Sequence, residues 1–244
     1  MKVAMIGAGG WGTAMMISLA ARHDDLFMYC RNPETAQEIQ KSRENKNYLP
    51  GCRIPLHVKI TSSLETAVKG AGCVILCTPS HAVEAMAESL VPWLEKDTVV
   101  VCASKGLADH AGHRLSEVIT DKVKNITKKI VVLSGPNHAE EVGRGLPCAT
   151  VAASEVPEAV QVVQDLFMSP VFRVYRSDDI KGVEYGGALK NIMALACGVL
   201  DGIGLGDNSR AALMTRGLVE MTRFGVHFGA QMTTFFGLSG MGDL

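Results

Sequence analysis

The 244-residue sequence predicts a doubly wound, Rossmann-type α/β fold with a mostly parallel sheet, followed by an all-helical region. Three observations carry this. Short apolar runs at 2–6, 26–30, 73–77, 98–103 and 130–133 alternate with stretches of helical character. Runs of that length, bounded by Gly, Pro and Ser, read as buried parallel strands with crossover helices. The first run leads into Gly7-Ala8-Gly9-Gly10-Trp11-Gly12 and then a helical stretch. From Asp178 no strand signal recurs, and helical stretches at 180–200 and 208–228 follow. The domain boundary is placed at Ser177, giving a sheet domain over 1–177 and the start of a helical domain over 178–244.

Taken in order, the first strand, turn and helix form G-x-G-x-x-G in the context that gives the pattern meaning. Gly7 permits the tight turn, Gly9 lets a pyrophosphate approach the backbone, and Gly12 lets helix and strand pack closely. The helix N-terminus presents free N–H groups to that anion. The second strand ends in Arg31-Asn32, without the acid that would bond a ribose hydroxyl. An arginine there pairs with a 2′-phosphate and stacks on adenine. The expected cofactor is therefore NADPH in preference to NADH, with NADH still possible. A helix over 33–42, a loop over 43–58, a strand at 58–61 and a short helix at 63–69 come next. Extra strands are expected at 148–153 and 171–175, with a helix at 157–167. In such sheets ligands lie beyond the carboxyl ends of the strands. That rule gathers residues 7–12, Arg31, 78–80, 104–106 and 135–137 on one edge. Lys105 is the only charge in its loop and suits an anionic substrate.

The stretch Glu184-Tyr185-Gly186-Gly187-Ala188-Leu189-Lys190-Asn191 opens the first long helix. Leu189, Ile192, Met193, Ala196, Val199 and Leu200 fall on one side and read as a buried stripe. Gly186, Gly187, Lys190, Ala194 and Gly198 fall on the other. Paired glycines cost a helix interior roughly 1 kcal/mol each, and close approach by a backbone or a ligand is the usual reason to keep them. Two readings stand: a small-residue helix contact with Lys190 reaching to water, or an amine held over a ligand pocket.

Composition excludes other classes. The net charge of −1 gives no basic field for nucleic acid. No apolar run reaches the roughly 18 residues of a membrane span, and the glycines at 7–12 break any secretory apolar core. Seven scattered cysteines without a C-x-x-C pair read as reduced, packed thiols of a cytoplasmic protein rather than disulfides or a metal site. The oligomeric state is left open, a homodimer included.

Taken together, Gly7-Ala8-Gly9-Gly10-Trp11-Gly12-Thr13-Ala14, Ser134-Gly135-Pro136, Gly186-Gly187-Ala188-Leu189-Lys190-Asn191, Gly206-Asp207-Asn208-Ser209-Arg210-Ala211-Ala212 and Gly240-Met241-Gly242-Asp243-Leu244 resemble the bacterial NAD(P)-dependent glycerol-3-phosphate dehydrogenases. The resemblance spans the chain, and the lysine and glycine–aspartate–asparagine blocks are its most specific marks. It implies reduction of dihydroxyacetone phosphate to sn-glycerol 3-phosphate for glycerophospholipid synthesis. Its helical domain would be like that of 6-phosphogluconate dehydrogenase. Lys190 matches the family's proton-transferring lysine. Lys105, Gly135, Asn137, Lys190 and Asp243 match substrate positions. Gly10, Trp11, Arg31, Lys105 and Ala139 match cofactor positions. Gly10 stands where serine is frequent, so that a backbone N–H must serve the pyrophosphate. Asn137 stands where serine or threonine is common. The family continues into a serine-arginine-asparagine segment that grips the substrate phosphate, so the 244 residues read as C-terminally truncated, with full activity expected only alongside that segment.

On this reading Lys190, as ammonium, steadies the alkoxide that forms at the ketone and protonates it. Burial and a second cation such as Lys105 are the means of tuning it. Asp243 either orients Lys190 or bonds a substrate hydroxyl. Two other readings compete. A hydroxyacid or ketopantoate-type reductase would turn over a non-phosphorylated substrate. A non-catalytic NADPH sensor would bind the cofactor and consume none.

Overall fold

A computed structural model describes residues 1–109 and 111–244. The sheet domain runs β1 (Val3–Ile6), α1 (Gly10–Ala20), β2 (Leu26–Tyr29), α2 (Pro33–Ser42), β3 (Glu44–Asn45), β4 (Leu49–Arg53), β5 (Lys59–Thr61), α3 (Leu64–Val68), β6 (Cys73–Leu76) and α4 (Ser80–Leu90). It continues through β7 (Val99–Cys102), α5 (Leu115–Val123), β8 (Ile130–Ser134), α6 (Ala139–Gly143), β9 (Cys148–Ala153), α7 (Pro157–Phe167) and β10 (Phe172–Ser177). After Ser177 come only helices: α8 (Ile180–Gly202), α9 (Asp207–His227), α10 (Met232–Phe235) and a 3₁₀ turn at Met241–Asp243.

Eight strands form one sheet in the order β10-β9-β8-β7-β6-β1-β2-β5. The half centred on β1 has the doubly wound arrangement in which the strand order reverses beside β1, leaving a crevice at the carboxyl ends. Every residue of β1, β6, β7 and β8 is buried. Alternate residues serve opposite faces. Val3 and Met5 join the core under α1 and α7, whereas Ala4 and Ile6 join the core under α4 and α5. Helices on both sides leave these strands no wet face, which is why they read as continuous apolar runs rather than alternating ones.

One detail refines the sequence expectation and one departs from it. The pairing of β8 with β9 is antiparallel, and β10 follows β9 in parallel, so this edge runs against the rest of the sheet. Residues 43–58, expected as loop, contain the two-stranded hairpin β3–β4. Its signal is weak because Leu49 and Cys52 are its main buried apolar residues and Pro50-Gly51 interrupts the run.

Candidate active site

The turn between β1 and α1 is built for close approach. Gly7 has φ +123°, and a Cβ there would run into the Cys77 carbonyl at the end of β6. A Cβ on Gly12 would strike the carbonyl of Gly7. Gly9 is the N-cap of α1 and has no side chain to occupy the first-turn N–H groups, which stay available to an anion. The hairpin secures this turn from above. Asn45, buried, donates to the Ala8 carbonyl at 2.8 Å and to Thr13 Oγ1 at 2.9 Å. A Cβ on Gly10 would lie 2.8 Å from the Tyr48 carbonyl and 3.6 Å from the Ala139 Cβ. Gly10 therefore has no room for the serine that the resemblance leads one to expect while Tyr48 holds this position. Asn45 and Tyr48 escaped the sequence reading, since nothing in a loop-like stretch says that it folds back onto the glycine turn.

A cavity of about 390 Å³ opens beside this turn, lined by Gly9, Gly10, Trp11, Thr78, Pro79, Ser104, Lys105 and Asn137 among others. The edge rule thus holds for the ends of β1, β6, β7 and β8. Arg31 lies exposed just past β2, where the adenosine end of a dinucleotide bound to this turn would lie. Asn137 is tied by its amide N–H to the Ala149 carbonyl at 2.9 Å, leaving its Oδ1 as the free polar atom. A larger groove of about 580 Å³, between α5 and the start of α7, mixes Arg114, Lys124 and Lys128 with Glu117, Asp121 and Glu155. It holds neither the glycine turn nor either lysine of the cluster described next, and the smaller cavity is the better candidate.

Asp243 joins the two lysines. Lys190 Nζ donates to Asp243 Oδ1 at 2.6 Å, and Lys105 Nζ donates to Oδ2 at 2.5 Å and to the Gly135 carbonyl at 3.0 Å. The Asp243 side chain is only 4% exposed, against 22% and 19% for Lys105 and Lys190. Two cations sharing one carboxylate leave an excess of positive charge beside the cavity, which suits an anionic substrate. Burial pushes the Lys105 ammonium below the ordinary lysine range, and the Lys190 charge adds to this, while Asp243 opposes it.

The paired glycines of α8 explain how the cluster closes. A Cβ on Gly186 would strike the Ser239 carbonyl, and one on Gly187 would lie 2.6 Å from Ser134 Oγ and 3.8 Å from Lys105 Cγ. Backbone, the end of β8 and the Lys105 stem are thus what approach α8 here. The apolar stripe expected on the same helix does not form as a whole. Leu189 and Met193 pack partly against Tyr185, Met221 and Phe235, but Ile192 and Val199 are exposed. Among the described residues α9 is the element that α8 meets most, with Gly217 lying against Met193.

The sequence reading gave Glu184 no role. Its carboxylate, buried, accepts from Arg114 Nη1 at 2.8 Å, Ser116 N at 2.8 Å and Ser116 Oγ at 2.5 Å. Arg114 lies 70 residues away in sequence, and no local pattern links the two. The seven cysteines are free thiols; burial pushes those of Cys73 and Cys77 up to about 12. No helix among the described residues is long and apolar enough to cross a membrane.

Comparison with known proteins agrees with this geometry. A family model described as NAD-dependent glycerol-3-phosphate dehydrogenase N-terminus matches residues 2–160, and its C-terminus counterpart matches 179–244. The chain is 52% identical to a glycerol-3-phosphate dehydrogenase [NAD(P)+] of Moorella thermoacetica, covering all of this chain and 72% of that one. It is 47% identical to one of Pelotomaculum thermopropionicum, covering 70% of it. The crystal structure of glycerol-3-phosphate dehydrogenase from Coxiella burnetii superposes with a TM-score of 0.95 at 35% identity, over all of this chain and 74% of that one.

Proposed function

The chain belongs to the NAD-dependent glycerol-3-phosphate dehydrogenase family, and from that premise we propose that it reduces dihydroxyacetone phosphate reversibly to sn-glycerol 3-phosphate, for glycerophospholipid synthesis. The carrying observation is the Lys105–Asp243–Lys190 cluster set beside a dinucleotide turn. The turn fits the cofactor: Gly9 has open space where a side chain would stand, and the first-turn N–H groups of α1 are uncapped.

When bound, the nicotinamide dinucleotide supplies a hydride to the ketone carbon. The chain's own residues do the rest. Gly9, Gly10 and Trp11 hold the pyrophosphate through backbone N–H groups. Lys190 stabilises the developing alkoxide and protonates it. Asp243 fixes the direction of its ammonium. Lys105, Gly135 and Asn137 contact the substrate, with Lys105 adding positive charge. Trp11, Arg31, Lys105 and Ala139 line the cofactor. Arg31 and the absence of an acid at the end of β2 support NADPH over NADH. The division between dinucleotide-binding and helical domains is placed at Ser177, where the last strand ends. The protein is assigned to the cytoplasm on its free thiols, with a homodimer as the assembly to test by sedimentation.

Loss of NADPH absorbance on adding dihydroxyacetone phosphate, with the chain extended by the phosphate-gripping segment that the resemblance implies, tests the reading. Rapid, phosphate-dependent oxidation supports it. NADPH that binds but is not oxidised would move the assignment to the sensor or to a reductase of another substrate. Binding constants for the two cofactors decide the preference, and tighter or equal NADH binding overturns it.

A further inference from the structure

We propose that the buried Glu184–Arg114 pair is a positioning device that fixes the two lysines against Asp243. This rests on the reading above only for its effect on turnover. Glu184 and Lys190 share α8, about two turns apart, or ~9 Å along the axis. Arg114 is joined to the Lys105 loop, since its backbone forms a β-bridge with Leu107, two residues beyond Lys105. Gly106, between them, has φ +136°, and a Cβ there would lie 2.8 Å from the Ser80 Cβ, so this bend takes only glycine. The two arms therefore meet twice. They are pinned at one end by Arg114 Nη1 to Glu184 at 2.8 Å and joined at the other by Asp243 between Lys105 and Lys190. Glu184 and Lys105 line one void of about 10 Å³, so the pin stands directly beside the lysine it positions.

The pin is closed by further hydrogen bonds. Ser116 donates twice to Glu184, and Glu117 takes the second Arg114 nitrogen at 2.7 Å. Residue exposures of 7% for Glu184 and 6% for Arg114 mean that both charges are withdrawn from water. Such a pair is weak evidence for stability, because desolvation offsets its attraction and apolar replacement is often neutral. What directional bonds do supply is a single register. α8 cannot turn or slide here without losing three bonds to Glu184, whereas an apolar contact tolerates such shifts.

Two variants test this: Glu184→Gln, nearly isosteric, and the double variant Arg114→Met/Glu184→Leu, which keeps the volume apolar. The first readout uses no substrate. Lysines are reductively ¹³C-methylated, and Lys105 and Lys190 are titrated by NMR. The second readout is kcat and KM with dihydroxyacetone phosphate and NADPH. The expected result is that Lys105 titrates lower than in the wild type in both variants, because a lysine no longer held against Asp243 loses the carboxylate that raises it. Turnover should fall about 10²-fold, the scale of a misplacement near 1 Å. Wild-type titration of both lysines overturns the proposal, even where turnover falls. If the double variant does not fold, Glu184→Gln decides by the same criteria. A wild-type chain that fails to reduce dihydroxyacetone phosphate would defeat the catalytic reading alone, and the titration would still test the positioning.

Discussion

The two halves of α8 invert the usual relation between polarity and burial. Up to Gly187 the helix carries a carboxylate, a tyrosine and three glycines, and all of it from Gly182 is buried. Beyond Asn191 it is rich in Ile, Leu and Val, yet Ile192 is 59% and Leu195 74% exposed. The first half is buried because small residues let the backbone of Ser239-Gly240 and the end of β8 reach it. The second half has the hydrophobicity, but Ile192, Leu195 and Val199 stay exposed. Burial in this helix follows what can approach it, and the site forms where approach is closest. Two glycines cost the helix roughly 2 kcal/mol together, and that cost is offset by bringing Lys190 within reach of Asp243.

The largest effect should come from the functional end of this comparison. Lys190→Ala is expected to lower kcat by about 10²–10⁴-fold, the range of a lost proton donor, while NADPH binding followed by fluorescence stays unchanged. Near-normal turnover would remove Lys190 from the mechanism. Asp243→Asn comes next. A solvated loop acid would make this change silent, but Asp243 is buried between two ammonium groups. Lys105 is already held below the ordinary lysine range, and Asp243 is the group that opposes this. Removing the carboxylate moves the Lys105 titration still lower. The cation needed for ketone reduction is then lost at a lower pH, and the alkaline limb of the kcat/KM profile should shift toward neutrality. An unshifted limb would mean that Lys105 charge does not matter to the reaction. Gly186→Ala drives a methyl into the Ser239 carbonyl. Overpacking of that kind costs about 1–3 kcal/mol, read as a lower urea midpoint, and it should slow turnover because Ser239 precedes Asp243 in the same short turn.

Much of this was legible in the sequence, and the reasons differ by region. The strands that carry the glycine turn, Thr78, Lys105 and Gly135 are short apolar runs between breakers, and both their identity and the edge on which they end follow from local pattern. Lys190 stood out because two glycines beside a lysine need a reason. Asp243 was legible only as a position of the resemblance; its role as the joint between two lysines needs the chain to fold back on itself. Glu184–Arg114 and Asn45–Ala8 are long-range polar contacts, and neither partner has a periodicity that points to the other. The stripe on α8 misled for the opposite reason. Periodicity reports which side would be buried given a neighbour, and it is silent on whether a neighbour packs there.

The smallest effect tests that last point with the same chemistry on the same helix. Gly198 lies in the exposed half of α8, and a Cβ built there meets nothing within 4 Å. Its backbone is helical and not in the left-handed region that favours glycine. Gly198→Ala should therefore raise stability by about 0.4–1 kcal/mol, through the lost freedom of the unfolded chain, with kcat unchanged. Gly186→Ala and Gly198→Ala would then move the urea midpoint in opposite directions, although propensity alone gives them the same sign. If Gly198→Ala instead lowers the midpoint, that face of α8 is in close contact as well, and the contrast between the two halves of the helix fails.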